Sequence, residues 1–370
     1  KVFDGKVLAL DDVDLEVGDG EFLVILGPSG CGKTTTLRSV AGLEQPDSGT
    51  IQIGEEIVFS AARGIDLPPR ERNVGMIFQS YALYPHMTVF QNVAFGLRVR
   101  RFEKAEIERR VAEALSVVDL TGFERRKPRQ LSGGQQQRVA VARTIAANPE
   151  VLLFDEPLSN LDPELRVSVR NHLKIVHRRL GATSLFVTHD QHEAMVLADR
   201  IAVMDRGAIV QIDRPQMVYT RPLTPFIAEF TGNPKTNLIR GEVHVADGRS
   251  LLVPEVDPYC FIPIDKELAG RRGQEVIFHV RPEDLEIVKS PSDDEGKLSV
   301  LAVMQEGAQA LVHLRFGDGL DQLIAKGSPQ QFAGVKRGDH VGLRFRRGNI
   351  FDPATDRISE SFGYQLAARR

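Results

Sequence analysis

Cysteine is nearly absent: the 370-residue chain has two, Cys31 and Cys260. Thiols so far apart make no disulfide framework and no metal-ligand spacing, and they fit a reducing compartment. No apolar run approaches the roughly 18 residues that a membrane span needs, and no secretory signal is seen, so the chain is not itself a membrane channel. Positive charge is not in excess either. A net charge of -3 argues against a general nucleic-acid binder. Repeats and low-complexity tracts are missing too. What is present is an ordinary globular composition, 42% hydrophobic and 26% charged. At about 150 residues per domain, the length predicts two domains or three. The chain opens abruptly on Lys1, without methionine, as if a few residues precede it.

The first part alternates short apolar runs with helical segments. EFLVILG from Glu21, VLLFDEP from Val151 and SLFVTHD from Ser184 are apolar on both faces, as strands of a helix-covered parallel sheet are. The spacing predicts a helix from Lys33 to Ala41 and an exposed amphipathic helix within the segment that begins at Arg101. Residues 200–213 read as a hairpin turning at Asp205, Arg206 and Gly207. Past about Pro234 the helical period fades. VIFHVRP, LSVLAVMQ, ALVHLRF and DHVGLRF are short strand-like runs separated by turns such as FGDG, which predicts a small all-β barrel. The boundary is placed in TGNPKTN, giving domains 1–234 and 235–370.

Gly27 to Thr34, GPSGCGKT, fit G-x-x-x-x-G-K-[ST] between an apolar strand and a helix. Backbone N–H groups of Ser29, Gly30, Cys31 and Gly32 can turn inward around a phosphate, and the helix N-terminus adds its positive end. Lys33 suits the β- and γ-phosphates, the Thr34 hydroxyl suits Mg²⁺, and Thr35 suits the α-phosphate. At the end of VLLFDE, Asp155 suits Mg²⁺ through a water. Glu156 projects to the other side and suits a base that polarises the attacking water. Adjacent acids after a strand also occur as plain helix caps; Pro157 and the independent phosphate loop favour the catalytic reading. Cys31, at a helix N-terminus, is expected to have an activated, alkylation-sensitive thiol.

A second glycine motif, LSGGQ at Leu131 to Gln135, resembles the signature of the ATP-binding-cassette (ABC) ATPases. IFQS, SNLD and VTHD follow the family's motifs in order, and SYALYPHMTVFQNVAFGL and THDQHEAMVLADRIAV are similar to ATPases of bacterial sugar importers. FIAEFTGNPKTN, VRPEDL and NIFDPATD resemble that group's C-terminal region, so the resemblance covers nearly the whole chain. It implies an α/β P-loop NTPase with a helical subdomain at about 80–145, then an all-β, OB-like barrel regulatory domain. It also implies a role for Phe3 as the aromatic stacked on adenine, for Gln79 at Mg²⁺ or the attacking water, and for His189 as the γ-phosphate switch.

Ser132 is suited to cap the helix that follows it, with Gly133 and Gly134 leaving space for an anion. In the family that anion belongs to a second copy of the chain. The resemblance therefore places Ser132, Gly133, Gly134, Gln135 and Asp162 against the partner's ATP in a head-to-tail homodimer. The implied partners are that second copy, two integral membrane permease subunits and, indirectly, a solute-binding protein, with no nucleic acid. The implied place is the cytoplasmic face of the cell membrane. The cargo is expected to be a sugar; polyamine, ferric iron or sulfate are the alternatives for the same motor, and a soluble non-transport ABC ATPase is a further one.

Overall fold

The computed structural model describes residues 1–246, 249–258, 260–264, 268, 271–289, 298–316 and 322–363. They form two compact units, Lys1–Pro215 and Gln216–Arg370. Among the described residues no helix is long and apolar enough to cross a membrane.

The first unit is built on a six-stranded sheet in the order Ala208–Asp213, Arg200–Asp205, Phe22–Leu26, Thr183–Thr188, Val151–Asp155, Val74–Ile77. Every pairing is parallel except that of the first two strands. Phe22–Leu26 is buried throughout, as its unbroken apolar run requires of a strand covered on both faces. The exceptional pair is the expected hairpin. Arg206 and Gly207 both have positive φ, 46° and 87°, which matches the twist of a two-residue turn to that of its strands. The phosphate-loop helix runs from Lys33 to Ala41 and stops at Gly42, which is left-handed at φ 75°. Arg72, 1% exposed, donates to Leu67 O and Ser39 O at 2.7 Å and to the Asp66 carboxylate at 2.8 Å, fixing the end of that helix.

Three helices, Val89–Val99, Lys104–Val117 and Gly133–Ile145, pack on one another within the expected helical region. The charged segment from Arg101 is helical only from Lys104 to Val117. It buries Ile107, Val111, Ala114 and Leu115 as one stripe. A three-stranded antiparallel sheet, Thr50–Ile53, Glu56–Ser60 and Ile65–Asp66, was not expected. Only Thr50–Ile53 alternates polar and apolar residues, and four residues are the shortest run in which that pattern can be read.

Among the described residues the second unit is an eleven-stranded β structure around a large apolar core. Its hydrogen-bonded path runs from Gln322–Gly327 through Gln309–Phe316, Leu298–Glu306, His340–Phe345, Ile262–Ile264, Arg249–Pro254, Asn237–Ala246, Glu275–Val280 and Gly348–Asp352 to Arg357–Phe362. Leu285–Val288 pairs beside His340–Phe345. The path curls back on itself at Asn237. That buried amide donates to Ile324 O (2.9 Å) and accepts from Ile324 N (2.7 Å), joining the first strand of the path to the middle of it. The FGDG turn lies largely outside the described residues.

Segment 216–234, assigned from sequence to the first domain, groups with the second unit, and Arg281 shows why. Its fully buried guanidinium donates to Ala228 O (2.7 Å), Tyr219 O (2.7 Å) and Thr231 Oγ1 (2.9 Å), and its plane lies 4.0 Å from the Tyr219 ring. Ala228 also packs on Ile277 and Phe351, behind the sheet. Arg281→Met is expected to cost about 3 kcal/mol, because it strips a charged donor from acceptors that stay buried. Urea unfolding of the full chain checks this; an unchanged midpoint would show that the clamp contributes nothing.

Candidate functional site: one edge of the parallel sheet

The register of the parallel strands decides where the motif residues emerge. Leu26 stands opposite Thr188, Asp155 opposite Val187, and Ile77 opposite Phe154. The chain therefore leaves the sheet side by side at the phosphate loop, at Glu156, at His189 and near Gln79. In open α/β sheets this carboxyl edge is where ligands bind.

The loop is shaped by close packing. Gly32 has φ 107°, and a Cβ there would stand 2.4 Å from Ala9 O, so neither its conformation nor its surroundings admit another residue. Lys33, 4% exposed, donates to Gly27 O (2.9 Å) and Pro28 O (2.8 Å), placing its ammonium inside the loop. Ser29 and Gly30 are exposed, and Thr34 and Thr35 half-buried. Cys31 is buried, and burial pushes its thiol up despite the Lys33 ammonium 3.9 Å away. This corrects the expectation of an activated thiol: desolvation outweighs the nearby charge.

Thr34 Oγ1 donates to Asp155 Oδ1 at 3.0 Å, joining the loop to the acidic strand end. Burial raises the Asp155 pKa and the Thr34 bond opposes that rise. Among the described residues no three His, Cys, Asp or Glu side chains gather as a metal cluster. The hydroxyl and carboxylate make an all-oxygen pair, which fits Mg²⁺, an ion that takes few protein ligands and completes its shell with phosphate and water.

Glu156 lies at φ 45°, a left-handed conformation costly for a residue with a Cβ. Its backbone is held from both sides: its N–H donates to Val187 O (3.2 Å), and its carbonyl accepts from Ser159 Oγ (2.9 Å). So placed, its Oε2 meets His189 Nδ1 at 3.1 Å. Thr188 Oγ1 donates to the buried carboxylate of Glu193 (2.6 Å) and accepts from Asp190 N (3.0 Å), bracketing His189. The sequence reading missed Glu193. D-Q-H-E spells a capping box, and Asp190 does cap the next helix, but the Glu193 carboxylate turns to Thr188 instead.

The other expected residues lie around this edge. Gln79 has an exposed side chain, and its carbonyl accepts from Asn160 Nδ2 at 3.2 Å. Phe3 sits in a two-stranded hairpin, half-buried, with the Lys1 ammonium 5.0 Å from its ring centre. Asp162 caps the helix Pro163–Leu180 through Leu165 N (2.9 Å). Ser132 caps the helix Gly133–Ile145 in a reciprocal box with Gln135. Gly134, expected to leave space for an anion, is buried, and a Cβ there would meet Leu165 Cδ1 at 2.5 Å. Arg143 on the same helix donates to Ala82 O (2.6 Å) and Tyr81 O (3.2 Å), so this helix holds the segment after Gln79. Among the described residues no hydrogen bond joins residues 27–35 to residues 131–135.

Comparison with known proteins gives the family. Residues 10–159 match the model of the ABC transporter family and residues 278–351 match that of the TOBE domain. The trehalose/maltose import ATP-binding protein MalK of Thermococcus litoralis is 45% identical over 368 residues, covering 96% of each chain. The sn-glycerol-3-phosphate import ATP-binding protein UgpC of Salmonella typhimurium is 44% identical over 355 residues, again 96% of each. Among solved structures, cbiO1 of Clostridium perfringens, part of the ABC transporter complex cbiONQ, gives a TM-score of 0.52 at 29% identity, over 57% of this chain and 83% of that one. With its phosphate loop, acidic strand end and signature segment on one scaffold, the chain belongs to the ABC transporter family, as an ATP-binding, ATP-hydrolysing subunit.

Proposed function

We propose that two copies of this chain close head to tail on two Mg-ATP molecules, and that closure and hydrolysis drive import of a sugar or sugar-like solute through two separate membrane permeases. The observation that carries the reading is the Glu156–His189 contact of 3.1 Å at the edge that also bears the phosphate loop. The Glu156 carboxylate accepts the proton of the attacking water as its oxygen bonds the γ-phosphorus and the bond to ADP breaks, and His189 holds that carboxylate and the γ-phosphate in line. Lys33 balances phosphate charge, and Ser29 to Thr35 supply N–H and hydroxyl donors. Thr34, Asp155 and Gln79 would hold Mg²⁺, which would supply charge neutralisation at the phosphates when bound. Phe3 offers a face to adenine.

The second half of each site is the partner's Ser132 to Gln135 and Asp162. An exposed capping serine at a helix N-terminus, joined to no residue of its own phosphate loop, suits an anion brought by another molecule. Tyr84, Phe95 and Val99 are exposed, with the Tyr84 and Phe95 rings 4.7 Å apart and Val99 one turn beyond Phe95 on the helix Val89–Val99. They form the apolar patch that would receive permease loops at the cytoplasmic face of the membrane, with a solute-binding protein delivering cargo from the far side. The sugar cargo follows from relatives named for import of trehalose, maltose and glycerol phosphate.

Hydrolysis by a composite site requires association. Activity per chain is expected to rise with chain concentration until the dimer is saturated, and to be lost with EDTA and restored by Mg²⁺. Activity per chain that stays constant through the range where light scattering reports monomer would refute the shared site.

A further inference from the structure

We propose that Arg166 is a positioning residue that bridges the segment 159–161 to the switch turn at His189, so that the two shift together during turnover. The proposal rests on the reading of Glu156 and His189 as the hydrolytic pair.

Arg166 lies in the first turns of the helix Pro163–Leu180, between two groups of acceptors. On one side, its Nη2 faces Leu161 O at 3.3 Å and Ser159 O at 3.5 Å. On the other, its Nη1 faces Asp190 Oδ2 at 3.4 Å, and its Nε stands 4.0 Å from Glu193 Oε1. Each of the two acids is already half committed. Asp190 Oδ1 accepts from His192 N (2.7 Å) and Glu193 N (3.3 Å), while Glu193 Oε2 accepts from Thr188 Oγ1 (2.6 Å). Each therefore holds the switch turn with one oxygen and presents the other to Arg166.

These contacts close a circuit. Glu156 reaches His189 through its side chain (3.1 Å) and Ser159 through its carbonyl (2.9 Å); Ser159 reaches Arg166, and Arg166 reaches Asp190, the residue after His189. The base and the switch are thus joined twice, once directly and once through Arg166.

The distances set Arg166 apart from a static clamp. Arg72 in the same unit shows what a clamp looks like: no side-chain exposure and three bonds of 2.7–2.8 Å. Arg166 is 32% exposed at its side chain, all of its guanidinium contacts are 3.3 Å or longer, and its buried Nε has no hydrogen-bond partner. A charged fork normally bonds carboxylates at about 2.7–2.9 Å. This guanidinium is centred between its acceptors, with donors to spare, and any approach of the two segments shortens its bonds on both sides. Catalytic contacts commonly tighten in this way when a site closes.

The test compares Arg166→Met and Arg166→Lys with the unchanged chain, by steady-state ATPase kinetics, nucleotide titration and thermal unfolding. Arg166→Met is expected to lower kcat about ten-fold or more, with KM, nucleotide affinity and unfolding midpoint nearly unchanged, because misplacing the pair slows chemistry without weakening binding. Arg166→Lys keeps the charge but not the two-sided fork, and is expected to recover only part of kcat. Asp190→Asn keeps the helix cap and removes the charge on the switch side. Combined with Arg166→Met it should lose no more than the worse single variant.

A kcat within two-fold of the unchanged chain overturns the proposal. So does a kcat loss matched by a fall in midpoint or affinity, full rescue by lysine, or losses that multiply in the double variant. Glu156→Gln serves as the control. If it hydrolyses ATP normally, the hydrolytic reading itself fails; if it is inactive while Arg166→Met is normal, only the bridge fails.

Discussion

Glu156→Gln is expected to lower kcat for ATP hydrolysis about a thousand-fold while ATP affinity stays within about two-fold, since a positioned general base contributes roughly 10²–10⁴ in rate. Glutamine preserves size and a donor or acceptor for His189 Nδ1, but it cannot take a proton. The substitution leaves the backbone as it is: the φ of 45° at position 156, the bond to Val187 O and the bond from Ser159 are main-chain or hydroxyl features that glutamine tolerates equally. Lost turnover is then assignable to chemistry rather than to misfolding. With hydrolysis blocked, ATP should also hold two chains together, and size-exclusion chromatography with ATP should show a dimer. Wild-type turnover in this variant would remove Glu156 from the chemistry.

Ser132→Arg is expected to lower turnover by about two to three orders of magnitude, the scale for losing preorganised donors at a developing charge, and to leave ATP binding to the same chain intact. Serine is the cleaner probe of the signature segment because it is exposed, whereas any side chain at Gly134 also strikes Leu165. Loss of the cap costs about 1 kcal/mol of stability, too little to unfold the unit. Mixing separates a shared site from a local one. A dimer of one Ser132→Arg chain and one Glu156→Gln chain keeps one intact site, if each site takes its base from one chain and its signature from the other. Equimolar mixtures should hydrolyse ATP faster than either variant alone. A mixture no more active than its components places both residues in the same half-site.

The motifs were legible because each is a local arrangement with a local cause. The helix Lys33–Ala41 begins at the residue that the phosphate loop demands and ends at a glycine. The turn at Arg206 and Gly207 is a two-residue spelling of its own backbone. The strands could be read from unbroken apolar runs because burial on both faces leaves no alternative pattern. Long-range contacts could not be read in this way. Nothing near Gly134 in sequence announces Leu165, and nothing near Glu193 says that its carboxylate will choose the Thr188 hydroxyl over the helix cap. The lowered thiol pKa expected at Cys31 failed for the same reason. A helix N-terminus is visible in sequence, but the packing that buries the sulfur is not. Segment 216–234 was placed by its helical texture, whereas its packing partner, Arg281, lies far along the chain.

The join at Asn237 makes closure of the β unit depend on one side-chain amide. Where neighbouring strands elsewhere share bonds between backbones, this register is held by a side-chain amide that both donates to and accepts from Ile324. Deamidation of Asn237 would replace a donor with a carboxylate facing the Ile324 and Val280 carbonyls, and so turn a bond into a repulsion. At 3% exposure such a carboxylate would have no water to turn to, so closure of this unit depends on the neutrality of one side chain.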